Sequence, residues 1–332
     1  MTAPNTTRLE ALLTTLLHAP SVTYASGLAA IHAAYTLLNP RRVAITGGYH
    51  GAHGVLSIHT RLSGTKMIPL ECDAEELHEG DVVHLETPLN PTGEARNIRA
   101  YADKAHSRGA ILFVDATFGP PGLQDPFEWG ADIVMHSGTK YLGGHSDMLC
   151  GVLATRREDW LSVLKSDRLL IGGIMGSLEG WLGVRSLRTL ELRVSRQSKS
   201  AEALVNWLDR MMQGDKGEDG EVVSSAVNRL QHASLQRGDM QWLKTQMPNG
   251  YGPVFAMYMK NERMARRLPS KLRLFRHATS LGGVESLIEW RVMSDKGIDR
   301  TLMRVSIGVE SWEDLQNDMF NAFKELIHEE SK

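Results

Sequence analysis

The chain has 332 residues, of which 42% are apolar and 23% charged; these values exclude a disordered or fibrous protein and predict about two domains at roughly 150 residues each. Its 37 basic and 39 acidic residues nearly balance, so the charge gives no reason to expect nucleic acid or an anionic membrane as a partner. Two cysteines, Cys72 and Cys150, are too few for a disulfide framework and predict a reducing, cytoplasmic location.

The first part of the chain alternates helical and strand-like patterns. Residues 6–18 have leucines at helical spacing, without the basic start and long apolar run of a signal peptide or membrane anchor. Helices are also predicted from residue 28 and over residues 97–108. Short apolar runs predict buried strands at residues 22–25, 41–46, 81–87, 111–117, 132–137 and 151–155. Strands that alternate with helices indicate a doubly wound α/β sheet.

From about residue 176 the pattern becomes more helical. Residues 177–212 keep helical periodicity for longer than one globular helix usually does, so a break is predicted near Ser186. The polar, glycine-rich stretch 213–221 predicts a surface loop or hinge, and residues 312–329 predict an amphipathic helix. We therefore expect a large domain and a smaller C-terminal α/β domain, over residues 1–185 and 186–332.

Polar residues follow several predicted strands at the point where each strand ends. They are Ser26-Gly27, Tyr49, Asn90, Asp115 and Ser137-Gly138-Thr139-Lys140. In α/β sheets, ligands bind beyond the carboxyl ends of the strands. One pocket could therefore combine an acid, a lysine, hydroxyls, an aromatic ring and a helix N-terminus.

This set of side chains suits pyridoxal 5′-phosphate. The cofactor needs a lysine amine for its aldehyde, a carboxylate for its ring nitrogen, and N–H and hydroxyl donors for its phosphate. Lys140 and Asp115 supply the first two. The phosphate donors would come from Gly27, Leu28, Ser137 and Thr139. Taken alone, such a lysine is usually a solvated surface residue and such an aspartate a helix cap, but their combination in this order favours the cofactor site.

The segment from Val114 to Gly151, VDATFGPPGLQDPFEWGADIVMHSGTKYLGGHSDMLCG, resembles the signature of the Cys/Met-metabolism, or transsulfuration, family of pyridoxal-phosphate enzymes. Other stretches agree with it: YASGLAAI, ETPLNP, VRSLRTLELR, SLGGVESLIE and MRVSIGVE. The resemblance implies the fold-type I architecture of pyridoxal-phosphate transferases. It also implies γ-replacement or γ-elimination on a homoserine-derived or sulfur amino acid, as in cystathionine γ-synthases and γ-lyases, with β-elimination as the alternative.

The resemblance also implies a role for individual residues of the large domain. Lys140 is the Schiff-base lysine and proton shuttle, and Asp115 pairs with the pyridine nitrogen. Tyr49 stacks on the ring and helps to take up the amine proton of the substrate. Asn90 lies near the ring hydroxyl, and Glu86 begins the same ETPLNP motif.

In the C-terminal part, the resemblance implies that Arg304 binds the α-carboxylate of the substrate as a bidentate fork, helped by Ser280. The alternative for Arg304 is an ion pair at a domain interface. The family resemblance further implies a homotetramer built from dimers, with an active site at each dimer interface.

The sequence departs from the family pattern at three places. For a Tyr-x-Arg pair that lies in an upstream segment of family members, we expect no counterpart here. Either the sequence is truncated at this segment, or phosphate binding is weaker or built differently. The usual Tyr-Gly-Gly-Thr reads Tyr49-His50-Gly51-Ala52. The usual His-Pro reads Trp290-Arg291, which resembles a fungal-type branch.

Three other interpretations remain open from the residues alone. The glycine-rich stretch 46–54 approaches a dinucleotide loop, but its third glycine position is His53. A pyridoxal-phosphate protein with weak or no catalysis is the second interpretation. The third is a metal site formed by His50, His53 and His59, although no carboxylate lies at a suitable spacing, so we expect no metal.

Overall fold

The computed structural model describes residues 3–214 and 217–330. By its internal contacts the chain divides into two compact units. The large unit comprises Met1–Asn90, Ala95–Glu191 and Gln241–Pro248, and the small unit comprises Pro91–Glu94, Leu192–Met240 and Asn249–Lys332. Within the described residues, no helix is both long enough and apolar enough to cross a membrane.

The large unit is built on a seven-stranded sheet with the strand order β1-β7-β6-β5-β4-β2-β3. The strands are β1 Ser21–Tyr24, β2 Arg42–Ala44, β3 Lys66–Ile68, β4 Val82–Glu86, β5 Ile111–Asp115, β6 Ile133–Ser137 and β7 Gly151–Thr155. The five strands from β6 to β3 run parallel, whereas β7 is antiparallel to both of its neighbours. Strands β4 and β7 are buried along their whole length, as expected for a sheet covered on both faces.

The first six helices of the chain belong to the large unit. They are α1 Pro4–Leu16, α2 Gly27–Leu38, α3 His50–Ser63, α4 Ile98–His106, α5 Glu158–Ile171 and α6 Ser177–Leu187. Of these, α2, α3 and α4 connect consecutive strands of its sheet. The start of α2 follows from Ser26, whose hydroxyl accepts the Ala29 N–H and caps the helix. The α/β architecture with a mostly parallel sheet, predicted from the alternating pattern, is confirmed.

The small unit is an antiparallel-rich sheet packed with helices. Its strand order is β10-β11-β12-β9-β8, and only the pair β10 and β11 is parallel. The strands are β8 Val227–Gln231, β9 Val254–Met259, β10 Arg276–His277, β11 Leu287–Trp290 and β12 Leu302–Ser306. The helices that lie mainly in this unit are α7 Leu190–Met212, α8 Glu218–Ala226, α10 Glu262–Arg267 and α11 Trp312–Glu330, whereas most of α9, Met240–Gln246, belongs to the large unit. Phe255 and Phe323 lie in its apolar core and are fully buried.

The long helical segment is interrupted close to the predicted position. Helix α6 ends at Leu187, and α7 begins at Leu190 after a short turn in which the Thr189 N–H donates to the Ser186 carbonyl. The predicted loop 213–221 differs, because α8 already begins at Glu218. Positions 215 and 216 of that loop lie outside the described residues.

A short stretch from the C-terminal half belongs to the large unit. Gln246, which is buried, accepts the Ile98 N–H through Oε1 at 2.9 Å. Its Nε2 donates to the Arg96 carbonyl at 2.9 Å and to Gln124 Oε1 at 3.1 Å. The first helical N–H of α4 therefore has its partner on a residue about 150 positions later in the chain.

Candidate active site

The polar residues expected to form a pocket do follow neighbouring parallel strands. Tyr49 comes after β2, Glu86 ends β4, Asp115 ends β5 and Ser137 ends β6. The strand order reverses between β2 and β4, because the chain runs from β2 outward to β3 and then returns to the other side. Such a switch point opens a crevice at the carboxyl ends of the strands, where α/β proteins bind ligands.

Asp115 is a buried carboxylate held in place by Thr117. The Thr117 N–H and hydroxyl both donate to Asp115 Oδ1, at 3.0 and 2.6 Å. The same hydroxyl accepts the Ser137 N–H at 2.9 Å, which links the ends of β5 and β6. Burial raises the pKa of Asp115, and the two hydrogen bonds from Thr117 oppose that rise. No hydrogen bond within the described residues reaches Oδ2, so this oxygen can accept a ligand N–H.

Glu86 lies beside Asp115 in the sheet register, and its carboxyl group binds the backbone of two loops, those of Tyr49 and Asn90. Its Oε2 accepts the Tyr49 N–H and its Oε1 accepts the Asn90 N–H, each at 2.7 Å. Gly48 lies so close that an added Cβ would come within 2.5 Å of Glu86 Oε2, and its φ of +80° also favours glycine. Burial, and then the charge of Asp115, raise the pKa of Glu86 to about 8. The position of Tyr49 and Asn90 therefore depends on a buried carboxyl group.

This raised pKa makes a testable contribution to stability. Between the ordinary value of 4.5 and about 8, the folded cofactor-free protein keeps a proton on Glu86 that the unfolded chain has lost. The free energy of unfolding should therefore fall as the pH rises through this window. Glu86→Gln should flatten that fall, although it costs some stability because an amide accepts only one of the two N–H groups. Urea unfolding of the cofactor-free protein from pH 5 to 8 measures both effects.

Glu75→Gln is the matched control, because Glu75 is exposed on the same unit. It should leave the slope of stability against pH unchanged. A slope in Glu86→Gln as steep as in the natural sequence would show that Glu86 does not retain the proton.

The start of α2 meets the end of β6. A Cβ added to Gly27 would lie 3.2 Å from Ser137 Oγ and 3.0 Å from Met135 Cε. Because glycine has no side chain, the start of α2 can pack closely against the Ser137 hydroxyl. The N–H groups of Gly27 and Leu28 belong to the first helical turn, which has no intrahelical acceptors for them. Backbone donors and a hydroxyl at a helix N-terminus are a suitable cradle for a phosphate.

The Tyr49 ring lies close to the start of α2. A Cβ on Gly51 would come within 2.5 Å of Tyr49 Cε1 and 2.7 Å of Leu28 Cδ2. The side chains of Tyr49 and Leu28 therefore both pack against Gly51, where a larger residue would not fit. His50, which replaces a glycine of the family pattern, contacts the Tyr49 ring at 4.9 Å between centroids. The phenol is therefore placed near the helix start that Leu28 marks.

Lys140 ends a tight turn after β6. Its N–H donates to the Ser137 carbonyl at 3.0 Å. Thr139 joins this turn to Cys150, the residue before β7. Its N–H donates to the Cys150 carbonyl at 3.1 Å, and its hydroxyl accepts the Cys150 N–H at 3.0 Å. Gly138 packs against the same cysteine, since a Cβ added to this glycine would lie 2.8 Å from Cys150 Sγ. Burial raises the pKa of the Cys150 thiol to about 12, so this cysteine supports the turn as an inert thiol.

Arg304 and Ser280 lie in the small unit. Arg304 is buried on β12, and its guanidinium donates to the carbonyls of Thr279 and Ser280. It also forms an ion pair of 2.7 Å with Glu289 of β11. Both partners of this ion pair belong to the small unit, so it is not the ion pair at a domain interface that was considered from the sequence.

The residues of the large unit fit pyridoxal phosphate. The cofactor combines an anionic phosphate, an aldehyde and a basic ring nitrogen. The cradle formed by Gly27 and Ser137 suits the phosphate, Lys140 offers an amine, and the Oδ2 atom of Asp115 can accept a ring N–H. Their side-chain chemistry covers all three parts of the cofactor.

Sequence reasoning missed Thr117 and the hub position of Glu86. Thr117 could have been found from its place two residues after Asp115 in the DAT motif, a spacing at which a hydroxyl readily returns to the carboxylate. The histidines considered as metal ligands instead form local hydrogen bonds, His53 to the Gly47 carbonyl and His59 to His32. Within the described residues, no group of three metal-ligating side chains is placed to hold an ion.

Comparison with known families and proteins identifies relatives over most of the chain. The family described as Cys/Met metabolism PLP-dependent enzymes matches residues 1–324. Cystathionine gamma-lyase of Dictyostelium discoideum is 37% identical over 253 residues, which cover 73% of this chain and 62% of that protein. The chain thus spans less than two thirds of that relative. Cystathionine beta-lyase MetC of Bacillus subtilis is 30% identical, over 91% of this chain and 79% of that protein.

Solved structures show the same fold. The apo structure of CalE6, a methionine gamma lyase from Micromonospora echinospora, superimposes with a TM-score of 0.86 at 30% identity. That superposition covers 97% of this chain and 86% of the other. The structure of metB from Corynebacterium glutamicum gives a TM-score of 0.87 at 27% identity, over 98% of this chain and 86% of the other.

Proposed function

The chain belongs to the Cys/Met metabolism family of PLP-dependent enzymes, and on this basis we propose that it acts on a homoserine-derived or sulfur amino acid by γ-replacement or γ-elimination. The observation that carries the proposal is Asp115, a buried carboxylate with one unoccupied acceptor oxygen beside the turn that bears Lys140. Relatives named cystathionine gamma-lyase and cystathionine gamma-synthase support the substrate class. Relatives named cystathionine beta-lyase make β-elimination the alternative.

The residues act together as an acid–base system. When bound, pyridoxal phosphate supplies an aldehyde that captures the substrate amine and a protonated ring that takes up the electron pair from the α-carbon. Asp115 keeps the ring nitrogen protonated because its carboxylate accepts that N–H. Lys140 removes the α-proton and moves protons at the β-carbon, so that a γ-substituent can leave. Positioned proton transfer of this kind contributes about 10²–10⁴-fold to a rate.

Other residues orient the reacting groups. Tyr49 covers the ring and helps to accept the amine proton, while Glu86 holds the backbone of Tyr49 and of Asn90. Arg304 binds the α-carboxylate of the substrate, which fixes the orientation of the α-carbon. Ser280 supports Arg304 through its carbonyl.

Product analysis tests the function and separates its branches. The purified holoenzyme is incubated in turn with O-acetylhomoserine plus cysteine, with cystathionine and with methionine, and products are identified by mass spectrometry. Cystathionine and acetate from the first mixture indicate γ-replacement. Cysteine, 2-oxobutanoate and ammonia from cystathionine indicate γ-elimination, whereas homocysteine, pyruvate and ammonia indicate β-elimination. Consumption of none of these substrates would contradict the proposal.

We also propose that the protein self-associates, as a homotetramer built from dimers. A run of large apolar side chains from α5 to α6 supports this, including Leu170 at 83% exposure, Leu178 at 65% and Trp181 at 51%. Apolar side chains clustered in this way usually mark an interface. Leu170→Glu should shift the sedimentation equilibrium toward smaller species. Leu62→Glu is the control, because Leu62 is 74% exposed on α3, and an equal effect of both changes would count against the patch.

The proposed location is the cytoplasm. Both cysteines, Cys72 and Cys150, are buried thiols, which supports a reducing compartment. Fractionation of cells that produce the protein, with detection by antibody, tests the location directly, and recovery outside the cytoplasmic fraction would contradict it.

A further inference from the structure

Arg291 forms a buried charge cluster with two residues of the small unit. It lies directly after β11, is 4% exposed, and donates from Nη1 to both carboxylate oxygens of Glu289, at 3.4 and 3.1 Å. Glu289, 1% exposed, also receives Arg304 at 2.7 Å and the Ser294 hydroxyl. One buried carboxylate therefore faces two guanidinium groups.

The charge of this cluster is unusual for a protein interior. Two cations and one anion leave a net charge of +1, although removing an uncompensated charge from water is costly. The Nε of Arg291 is buried as well, and no hydrogen-bond partner for it lies within the described part of the chain. The hydrogen bonds of Arg291 therefore compensate its burial only in part, which suggests that its charge has another use.

That use follows from the position of Glu289. A carboxylate ligand that approaches Arg304 would meet the negative charge of Glu289, which already lies within 2.7 Å of the same guanidinium. A like charge paired to the same guanidinium opposes the binding of a second carboxylate strongly where water is excluded. Arg291 places a second positive charge on Glu289, so that the cluster as a whole still attracts one anion.

We propose that Arg291 is a positioning residue for the substrate carboxylate, which balances Glu289 so that Arg304 can bind the ligand while Glu289 keeps it oriented. This inference rests on the proposed role of Arg304 as the carboxylate-binding residue. It makes the net charge of the three side chains, rather than any one contact, the quantity that sets affinity for an amino acid.

Four variants separate charge from structure. The three side chains carry +1 in the natural sequence, 0 in Arg291→Met, +2 in Glu289→Gln and again +1 in the double variant. The probe is L-alanine, which has an α-carboxylate and no γ-leaving group, and its Kd for the holoenzyme is measured by calorimetry. Arg291→Met should raise this Kd about tenfold or more, by analogy with the loss of one buried charge partner. The double variant should return to within about threefold of the natural value.

Kinetics and a second probe exclude a general structural effect. Arg291→Met should raise KM for the substrate while kcat changes less than about twofold, because the carboxylate contact is made before and during the reaction alike. Ethylamine, which is alanine without the carboxylate, should bind equally to both proteins. Arg291→Lys keeps the charge and should retain most of the affinity, which provides a usable variant if methionine impairs folding. Arg276→Met, at an exposed position of β10, is the matched control.

The outcomes are distinct from those of the proposed function. If Arg304→Met leaves the Kd for alanine unchanged, the role of Arg304 itself is wrong. If Arg304→Met weakens binding but Arg291→Met does not, only the present inference fails. It also fails if the double variant binds as weakly as Arg291→Met, since the affinity would then follow the loss of Arg291 rather than the charge balance.

Discussion

Replacing Lys140 with alanine is expected to abolish turnover and the visible absorption band of the lysine-bound cofactor, while the fold stays intact. The side chain extends from a turn that is fixed by backbone hydrogen bonds of Lys140 and Thr139, so its removal should not disturb the turn. The loss of the amine removes both the attachment point for the aldehyde and the base that moves protons. The rate should fall by at least about 10²–10⁴-fold, the usual contribution of a positioned base.

Two further variants define the cause. Lys140→Arg keeps a positive charge, but a guanidinium stays protonated and cannot act as the nucleophile or base, so this variant should be equally inactive. Lys165→Ala removes an exposed lysine of α5 and should leave band and rate unchanged. A visible band that survives in Lys140→Ala would place the attachment point on another lysine and overturn the site.

Asp115→Asn should preserve the structure but remove the electron sink. Asparagine retains the Oδ1 atom that accepts both hydrogen bonds from Thr117, so the linkage to Ser137 should survive. Its amide, however, does not stabilise a positive charge on the ring nitrogen as a carboxylate does. We expect turnover to fall about 10³-fold, which corresponds to about 4 kcal/mol of barrier.

The control for this change lies on the same sheet but at the amino-terminal end of the parallel strands, away from their carboxyl ends, where Asp115 lies. Asp132 precedes β6, and its Oδ2 accepts the Leu112 N–H at 2.8 Å. Asp132→Asn should therefore alter stability slightly and turnover hardly at all. Stopped-flow and steady-state rates of both variants, with circular dichroism as the check of folding, decide the matter. A nearly normal rate in Asp115→Asn would contradict its role.

Much of the large unit could be predicted because its strands are buried runs that end in polar residues. Asp115 illustrates this, since a charged residue that continues the apolar run ILFV is rarely buried unless it is paired or functional. Strand β3 was not predicted. Its residues, Lys66–Ile68, form a short and mostly exposed edge, so neither an apolar run nor a clear alternation marks it.

The charge cluster of the small unit could not be predicted from local sequence. Glu289 and Arg304 are opposite each other in the register of β11 and β12, and a register between strands depends on the whole sheet. The replacement at Arg291 was visible in the sequence, and Glu289 lies only two residues before it, but its meaning depends on Arg304, the second guanidinium, which the neighbouring strand β12 brings to the same carboxylate. The same holds for Glu86, whose two N–H partners lie in loops that only the folded sheet brings together.

The placement of Gln246 has a consequence for the order in which the molecule is completed during synthesis. A ribosome makes the chain from its N-terminus, and all seven strands of the large sheet are available once residue 155 has left the exit tunnel. The N-terminal turn of α4 must nevertheless wait for Gln246, which supplies the acceptor for Ile98 and donates to Arg96 and Gln124. By then, β8 of the small unit has also been translated. The nascent large unit therefore lacks one of its segments, and the Ile98 N–H depends on water as its partner, until translation has passed well into the small unit.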